Sequence, residues 1–379
     1  MSARVGSDPL RIGLFLPSLT FGGAEIVTLN LAEGLLELGH EVDILLASKT
    51  GDLLSKVPDG ARVVDLASRR TLTATVPLAR YLRTAKPHLL VAAMGHANIV
   101  AMWARRLARS PVRVVLTEHR SAPEASTSAV ETVFRRLARF EYPRATALIA
   151  VSNGVADNVA TVSGVSRNRI SVVYNPVLSS SYWKQLNASL EHAWFEPGGE
   201  PVVLAVGRLV SDKDFGTLIR AFKLVLREHR AKLLVLGEGE LRGELESLIH
   251  ELELDDCVAL PGFEANPYKF MAASAVFVLS SVSEGLPTVL IEAIAAGTPV
   301  VSTDCVSGPS EILAVAKVGE LVPVGSPDQM ARAISSVLDQ WPNAKPPAPR
   351  LEPFMPAVAA SRYLDVAFGK LDVLSDSSA

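Results

Sequence analysis

The sequence predicts two doubly wound α/β domains, each a parallel sheet flanked by helices, facing each other across a cleft. Three observations carry this. Short β-rich runs alternate with helical patterns twice over, once on each side of residue 180. The rhythm is broken by Asn175-Pro176 and then by a polar, irregular stretch over 179–200 that ends Glu196-Pro-Gly-Gly-Glu200. Finally, 379 residues at 49% hydrophobic and 20% charged are too long for one ordinary core and too apolar for disorder.

The first half opens with a strand at Ile12–Leu16, a Gly-rich turn and a helix over 24–38 that stops at Gly39. Further strands are expected at Val42–Leu46, Val63–Leu66, Leu89–Ala93, Val112–Thr117, Ala147–Val151 and Ile170–Val173. The second half restarts with Val202–Val206 and a helix over 215–229, whose Leu218, Ile219, Phe222 and Leu226 share a face. It continues with strand Lys232–Leu236, a helix over 241–252, strands near 258–260 and 275–279, a helix over 286–295 and strand Pro299–Thr303. The proline-rich run from Pro342 to Pro349 excludes regular structure. The helical pattern beyond it, about 355–370, has to dock somewhere and is expected to cross back onto the first domain. The expected domains are therefore 1–178 with that helix, and 179–350.

Several classes are set aside. Net charge is −3, which argues against a nucleic-acid binder. Cys257 and Cys305 are too few for a disulfide framework and lack zinc-site spacing, so both read as small buried residues. The most apolar long stretch, 285–301, contains Glu292 and two prolines, unlike a membrane span of about 20 charge-poor residues. The apolar run after Arg11 stops at Pro17 with no cleavage signal and reads as a strand, so the expected location is cytoplasmic. Charge is unevenly divided. Residues 1–180 hold 21 basic and 14 acidic residues, and the remainder 16 and 26, so the first half should face something anionic.

The sharpest signal is Ser283-Glu284-Gly285-Leu286-Pro287-Thr288-Val289-Leu290-Ile291-Glu292. It follows a strand and opens a helix. Pro287 suits a first helical turn, where its missing N–H costs nothing. Gly285 allows close approach to the backbone. The free N–H groups of such a turn suit a diphosphate. Glu284 and Glu292 bracket it, and carboxylates accept from sugar hydroxyls. A nucleotide-sugar fits both features, with one glutamate on the transferred sugar and one on the ribose diol. Arg208 and Lys213 follow the first strand of the same domain, where a guanidinium fork and a point charge can hold a diphosphate. Gly237-Glu238-Gly239 resembles a dinucleotide fingerprint, but its third glycine, Gly243, comes one residue late and the loop is acidic. Asp212 and Asp214 flank Lys213 and are read as caps for the next helix, not as metal ligands.

Taken in order, these residues resemble the retaining glycosyltransferases of family 4, which have the Rossmann-like GT-B fold. The resemblance rests on Gly22-Gly23-Ala24-Glu25, Val206-Gly207-Arg208-Leu209 with Lys213, Gly237-Glu238-Gly239, the Glu284/Glu292 pair and Gly297-Thr298-Pro299-Val300-Val301, and it spans essentially the whole chain. It implies that Arg208 and Lys213 hold the donor diphosphate, with Gly285, Leu286, Pro287 and Thr288 lining the donor site. It implies that Glu284 meets the donor sugar and Glu292 the ribose. Gly22 and Gly23 would shape the acceptor loop, and His119 would face the donor sugar. No cofactor and no divalent metal are implied. Segment 303–312 resembles a subgroup that builds bacterial surface glycans from UDP-N-acetylhexosamines, with UDP-hexose the other donor considered and a glycan or polyprenyl-linked acceptor. A sugar-nucleotide epimerase, an NAD-dependent oxidoreductase and a non-catalytic sugar-nucleotide binder remain as alternatives. Residues 100–144 carry nine arginines against four glutamates. At 100° per residue, Val130, Val133, Phe134 and Leu137 fall on one face of segment 128–142, and Arg135, Arg136 and Arg139 fall opposite. That basic face is expected to dock on anionic lipid at the inner face of the cell membrane.

Overall fold

The computed structural model describes residues 8–20, 22–120, 129–343 and 347–369. Among these, residues up to Pro176 and from Pro353 onward form one compact unit, and Val177–Glu352 form a second.

Unit 1 is built from β1 (Arg11–Leu16), α1 (Gly23–Glu37), β2 (Glu41–Leu46), β3 (Arg62–Asp65), α2 (Thr75–Ala85), β4 (Leu89–Ala93), α3 (Gly95–Ala108), β5 (Arg113–Glu118), α4 (Ala129–Glu141), β6 (Ala147–Ala150), α5 (Asn153–Ser163) and β7 (Ile170–Val172). Its seven strands are parallel in the order β3-β2-β1-β4-β5-β6-β7. Unit 2 contains α6 (Ser180–Leu186), β8 (Val202–Val206), α7 (Phe215–Val225), β9 (Lys232–Leu236), α8 (Arg242–Glu251), β10 (Val258–Gly262), α9 (Tyr268–Ala273), β11 (Val276–Leu279), α10 (Thr288–Ala295), β12 (Val300–Thr303), α11 (Pro309–Ala316), β13 (Glu320–Val322) and α12 (Pro327–Leu338). Its six strands, also parallel, run β10-β9-β8-β11-β12-β13. The last helix, α13 (Pro356–Phe368), belongs to unit 1.

The central strands are apolar along their whole length because helices cover both sheet faces. Strands β1, β4 and β11 are accordingly buried almost throughout. The C-terminal helix α13 packs on α1 through Ala359, Ala360, Tyr363 and Ala367. The two backbones come so close that a Cβ at Gly34 would stand 2.2 Å from the Pro356 carbonyl oxygen. Each sheet reverses its winding once, between β1 and β4 and between β8 and β11. At such a reversal the loops leaving the two strands part to opposite sides, and the crevice between them is where ligands bind in this architecture.

Three local expectations are corrected. The predicted helix over 215–229 ends at Val225, because Arg227 and Glu228 donate to carbonyls three residues back and tighten the turn. The stretch 179–200, expected to be irregular, contains α6, capped by the Ser179 hydroxyl accepting from the Tyr182 N–H. Pro287 precedes α10 instead of sitting in its first turn. Its φ of −68° suits a helix, but its ψ of 105° is extended, so the helix opens at Thr288.

Candidate active site

The winding reversal of unit 2 brings the predicted donor residues together at the carboxyl ends of β8 and β11. After β8 the chain keeps pairing with the loop after β9: Gly207 N–H donates to Leu236 O at 3.0 Å and Leu209 N–H to Glu238 O at 2.9 Å. Gly237 makes this fit possible. Its φ is +152°, and a Cβ there would stand 1.8 Å from the Gly207 carbonyl oxygen. The Gly237-Glu238-Gly239 run therefore braces the Arg208 loop. Its carboxylate is taken by Arg242, whose Nε donates to Glu238 at 2.9 Å. Arg208 itself is exposed, and among the described residues its guanidinium has no hydrogen-bond or ion-pair partner.

Lys213 ends a short 3₁₀ turn over 211–213. Of its two flanking aspartates only Asp214 caps α7, accepting from Thr217 N–H at 3.2 Å and its hydroxyl at 2.7 Å. Asp212 instead offers its carbonyl to Val282 N–H at 2.9 Å, and Ser280 Oγ donates to Lys213 O at 2.7 Å. These bonds tie the lysine turn to the loop after β11. There the Lys213 ammonium pairs with the Glu284 carboxylate. Ser281 Oγ donates to the same carboxylate oxygen at 2.7 Å, Ser307 Oγ donates to Glu284 O at 2.6 Å, and Thr303 Oγ1 donates to Ser281 O at 2.6 Å. A Cβ at Gly207 would stand 3.6 Å from Lys213 Cδ, so the lysine side chain passes the backbone just before Arg208. Gly285, Leu286 and Pro287 are buried, and a Cβ at Gly308 would reach 2.6 Å from Pro287 Cδ. Thr288 is half-buried at the start of α10. Cys305 is buried nearby, and burial, with the Glu284 charge, pushes its thiol up to about 11. Cys257, expected to be buried, is only partly so.

Glu292 lies one turn into α10 and is 7% exposed. Burial pushes its carboxyl up to about 7, opposed by a hydrogen bond from Tyr268. Tyr182 Oη donates to the Glu292 carbonyl at 2.8 Å, and the Tyr182 and Tyr268 rings meet edge-on at 4.9 Å. Sequence reasoning missed these two tyrosines and the serines around Glu284. The tyrosines sit in helices of seven and six residues, too short to show a period. The serines act singly from loops.

In unit 1, Gly22 is the N-cap of α1, where a Cβ would stand 2.4 Å from Glu25 Oε2. Gly23 faces open space. His119 follows β5, and burial drives its imidazole down to about 4, partly opposed by Asn175. Glu118 lies one residue earlier, at the end of β5. It is held by Tyr142 Oη and by Asn98 Nδ2 at 2.9 Å, and burial pushes it up to about 7. On α4 the expected faces need correction. Val133 is 55% exposed, Phe140 is exposed beside the outward Arg136 and Arg139, and Arg135 is half-buried. Phe134 packs against Gly95 and Tyr142 and Ala138 is buried, which sets the rotation of the helix. The Val130 side chain and residues 121–128 lie outside the described residues.

Among the described residues, no helix is long and apolar enough to cross a membrane, and no cluster of three His, Cys, Asp or Glu could hold a metal ion. Two surface cavities, of about 300 and 710 Å³, lie against α12 and contain none of the site residues above.

Comparison with known proteins agrees with the geometry. Residues 189–348 match the model for glycosyl transferases group 1, and residues 21–178 match that for glycosyltransferase family 4. Over 344 residues the chain is 29% identical to the N-acetylgalactosamine-N,N'-diacetylbacillosaminyl-diphospho-undecaprenol 4-alpha-N-acetylgalactosaminyltransferase of Campylobacter jejuni, covering 87% of this chain and 90% of that one. It is 28% identical to the amylovoran biosynthesis glycosyltransferase AmsD of Erwinia amylovora, covering 77% and 80%. The lipopolysaccharide outer core galactosyltransferase WaaB superposes with a TM-score of 0.69 at 20% identity, over 96% of this chain and all of that one. Anabaena HepE in complex with UDP gives 0.67 at 22% identity, over 96% of each chain. With two parallel-sheet units and a family model on each, the chain is a glycosyltransferase of the GT-B fold.

Proposed function

We propose that the protein is a retaining, metal-independent glycosyltransferase that moves a sugar from UDP-N-acetylhexosamine or UDP-hexose to a glycan or polyprenyl-linked acceptor. The observation that carries this is the arrangement after β8 and β11. The Lys213 side chain passes the backbone just before a partnerless Arg208, and Lys213 is already oriented by Glu284 beside the start of α10. The donor type is supported by HepE, whose structure holds UDP, and the acceptor class by the Campylobacter enzyme, whose name specifies a diphospho-undecaprenol acceptor.

Transfer breaks the bond between the sugar's anomeric carbon and the β-phosphate oxygen while positive charge grows on the ring. The leaving diphosphate gains negative charge at the same moment. Arg208, Lys213 and the free N–H groups of α10 supply preorganised positive potential there, in place of a divalent ion. The acceptor hydroxyl attacks from the face the diphosphate leaves. Its oxygen bonds the anomeric carbon, and its proton passes to the departing phosphate oxygen. The glutamates then act as hydroxyl acceptors and not as a hydrolase pair. Glu284 takes a hydroxyl of the transferred sugar and Glu292 the ribose diol. His119 serves the transferred sugar, and Gly22-Gly23 shape the acceptor site. The outward face of α4, with Val133, Arg136, Arg139 and Phe140, docks the enzyme on the inner face of an anionic cell membrane.

The test is incubation of purified protein with a panel of UDP-hexoses and UDP-N-acetylhexosamines, with chelator, and with polyprenyl-diphosphate-linked and soluble glycans. UDP release that depends on acceptor, with an α-configured product from an α-linked donor, is the expected result. Epimerised donor formed without acceptor would assign the site to an epimerase.

A further inference from the structure

Helices α6, α9 and α10 of unit 2 meet around one charged residue, Glu292. It is 7% exposed, on a helix that carries no other charge, and strands β11 and β12 beside that helix carry none. Burying a carboxylate is costly unless something hydrogen-bonds it. Two hydroxyls hold this residue, one from each neighbouring helix. Tyr268 of α9 donates to the carboxylate itself. Tyr182 of α6 donates at 2.8 Å to the Glu292 carbonyl, which also accepts from Ala296 N–H at 2.9 Å. That carbonyl spends one lone pair on its own helix and the other on α6.

The two rings support each other edge-on, 4.9 Å apart and 65° between planes. Helices of seven and six residues have little stability of their own, so tertiary bonds must place them. Asn266 Nδ2, just before α9, donates to Gln185 O of α6 at 2.9 Å. Thr298 Oγ1, just after α10, donates to Met271 O of α9 at 2.5 Å. The three helices are thus stitched to one another around the glutamate.

We propose that Tyr268 is the positioning residue for the Glu292 carboxylate and Tyr182 for its backbone, and that together they present one free carboxylate oxygen to the diol of an incoming ribose. This rests on the glycosyltransferase reading of the site, in which Glu292 meets the ribose. The choice of a phenol matters, because it donates one proton and brings no charge. The Glu292 charge, with burial, holds the Tyr268 phenol far above its ordinary value, so it remains a donor. A lysine or arginine there would neutralise the carboxylate and compete for both oxygens. Lys184 of α6 is exposed, and Lys269 of α9 lies over the Phe270 ring. Neither they nor Glu311 of α11 shift the carboxyl, which answers to burial and to the Tyr268 hydroxyl.

The experiment compares Tyr268→Phe with Tyr182→Phe, each of which keeps its ring and loses one hydroxyl. Urea unfolding between pH 4 and 9 reads the carboxyl with no ligand present. Wild-type stability should fall as pH rises from 4.5 and level off near 7. In Tyr268→Phe the ionised form has lost its donor, so the fall should continue about one pH unit further, a tenfold change in ionisation. Tyr182→Phe should level off where the wild type does. Calorimetry then reads the site. At pH 7, Tyr268→Phe should bind UDP about fivefold more weakly, as the ionised fraction drops from about a half to about a tenth, and should recover by pH 9. Added to Glu292→Gln, it should change nothing further. An unmoved levelling point in Tyr268→Phe would overturn the proposal. So would equal shifts in both phenylalanine variants, the mark of general loosening, or an additive loss in the double variant. If Glu292→Gln binds UDP like the wild type at every pH, the ribose reading fails, while the unfolding curves still decide whether Tyr268 holds the carboxylate. Should Tyr268→Phe not fold, carbon-13 NMR of the tyrosine Cζ atoms decides. A resonance that titrates near pH 7 in the wild type and no longer does so in Glu292→Gln supports the contact, and the absence of one refutes it.

Discussion

Replacing Glu292 by glutamine should make two pH dependences disappear together. Burial raises this carboxyl from 4.5 to about 7, which penalises the ionised form by about 3 kcal/mol. Between those values the native state holds a proton that the unfolded chain has released. Stability therefore falls as pH rises from about 4.5 to 7, and is then flat for this group. Glu292→Gln removes the slope, so at pH 8 the variant should exceed the wild type by up to about 3 kcal/mol, while at pH 4 the two should match.

The ligand side runs the opposite way. A ribose diol donating to Glu292 needs the carboxylate, so UDP binds the fraction that is ionised. At pH 6 that fraction is about a tenth, and the apparent affinity should be about tenfold weaker than at high pH. The nucleotide's own terminal phosphate titrates near pH 6, but it does so equally in both proteins, and the difference between them isolates Glu292. Calorimetry of UDP binding at pH 6, 7 and 8, with urea unfolding of the same samples, measures both effects. Parallel pH curves for wild type and variant in either measurement would refute the buried-carboxyl reasoning. A lost stability slope with UDP affinity unaltered at every pH would place the ribose elsewhere.

Alanine at Arg208 or Lys213 should lower kcat by roughly two to three orders of magnitude, the scale of one lost transition-state charge stabiliser, with circular dichroism unchanged. Near-normal transfer by both variants would remove them from the diphosphate. Glu284→Ala should spare UDP affinity in calorimetry and cut transfer; an equal loss of both would merge its role with that of Glu292. In liposome cosedimentation, binding should rise with anionic lipid and fall with salt. It should weaken in Arg136→Gln/Arg139→Gln, since each arginine near such a surface is worth about 1 kcal/mol, and weaken further with Phe140→Ser. Equal binding to neutral vesicles would count against docking through α4.

The fold was readable because its signals are long and redundant. A buried parallel strand such as Leu89–Ala93, or Lys232–Leu236 beyond its first residue, is an unbroken apolar run, and its expected ends coincide with the observed ones. What escaped was short or half-exposed. Strand β13 has three residues, two of them exposed at the sheet edge, and so shows no apolar run. Helix α6 hid in a segment whose polar composition reads as a linker, yet its Tyr182 is buried. The rotation of α4 was misjudged because periodicity finds an apolar stripe without saying which part of it a neighbour covers. Phe134 seats on Gly95, a backbone with no side chain to exclude it, and this contact turns Val133 outward.

For the site, sequence spacing identified groups that could carry charge, whereas the structure shows which of those charges are already balanced. Arg208 and Lys213 look alike in sequence, as cations after one strand. In the fold, Lys213 is held by Glu284, which Ser281 orients in turn, while Arg208 is exposed and partnerless. On the proposed reading, an incoming diphosphate meets one cation that is free to fork around it and another whose position has been fixed in advance by a carboxylate. A half-buried ion pair of this kind gains little net stability, because desolvating both charges offsets their attraction. Its value lies in orientation. Lys213 loses little side-chain freedom on donor binding, and Glu284, gripped by a serine and a lysine, presents its remaining lone pairs in one direction. Neither feature has a signature in the spacing of residues 213 and 284, because both depend on the winding reversal that lays the loop after β11 beside the loop after β8.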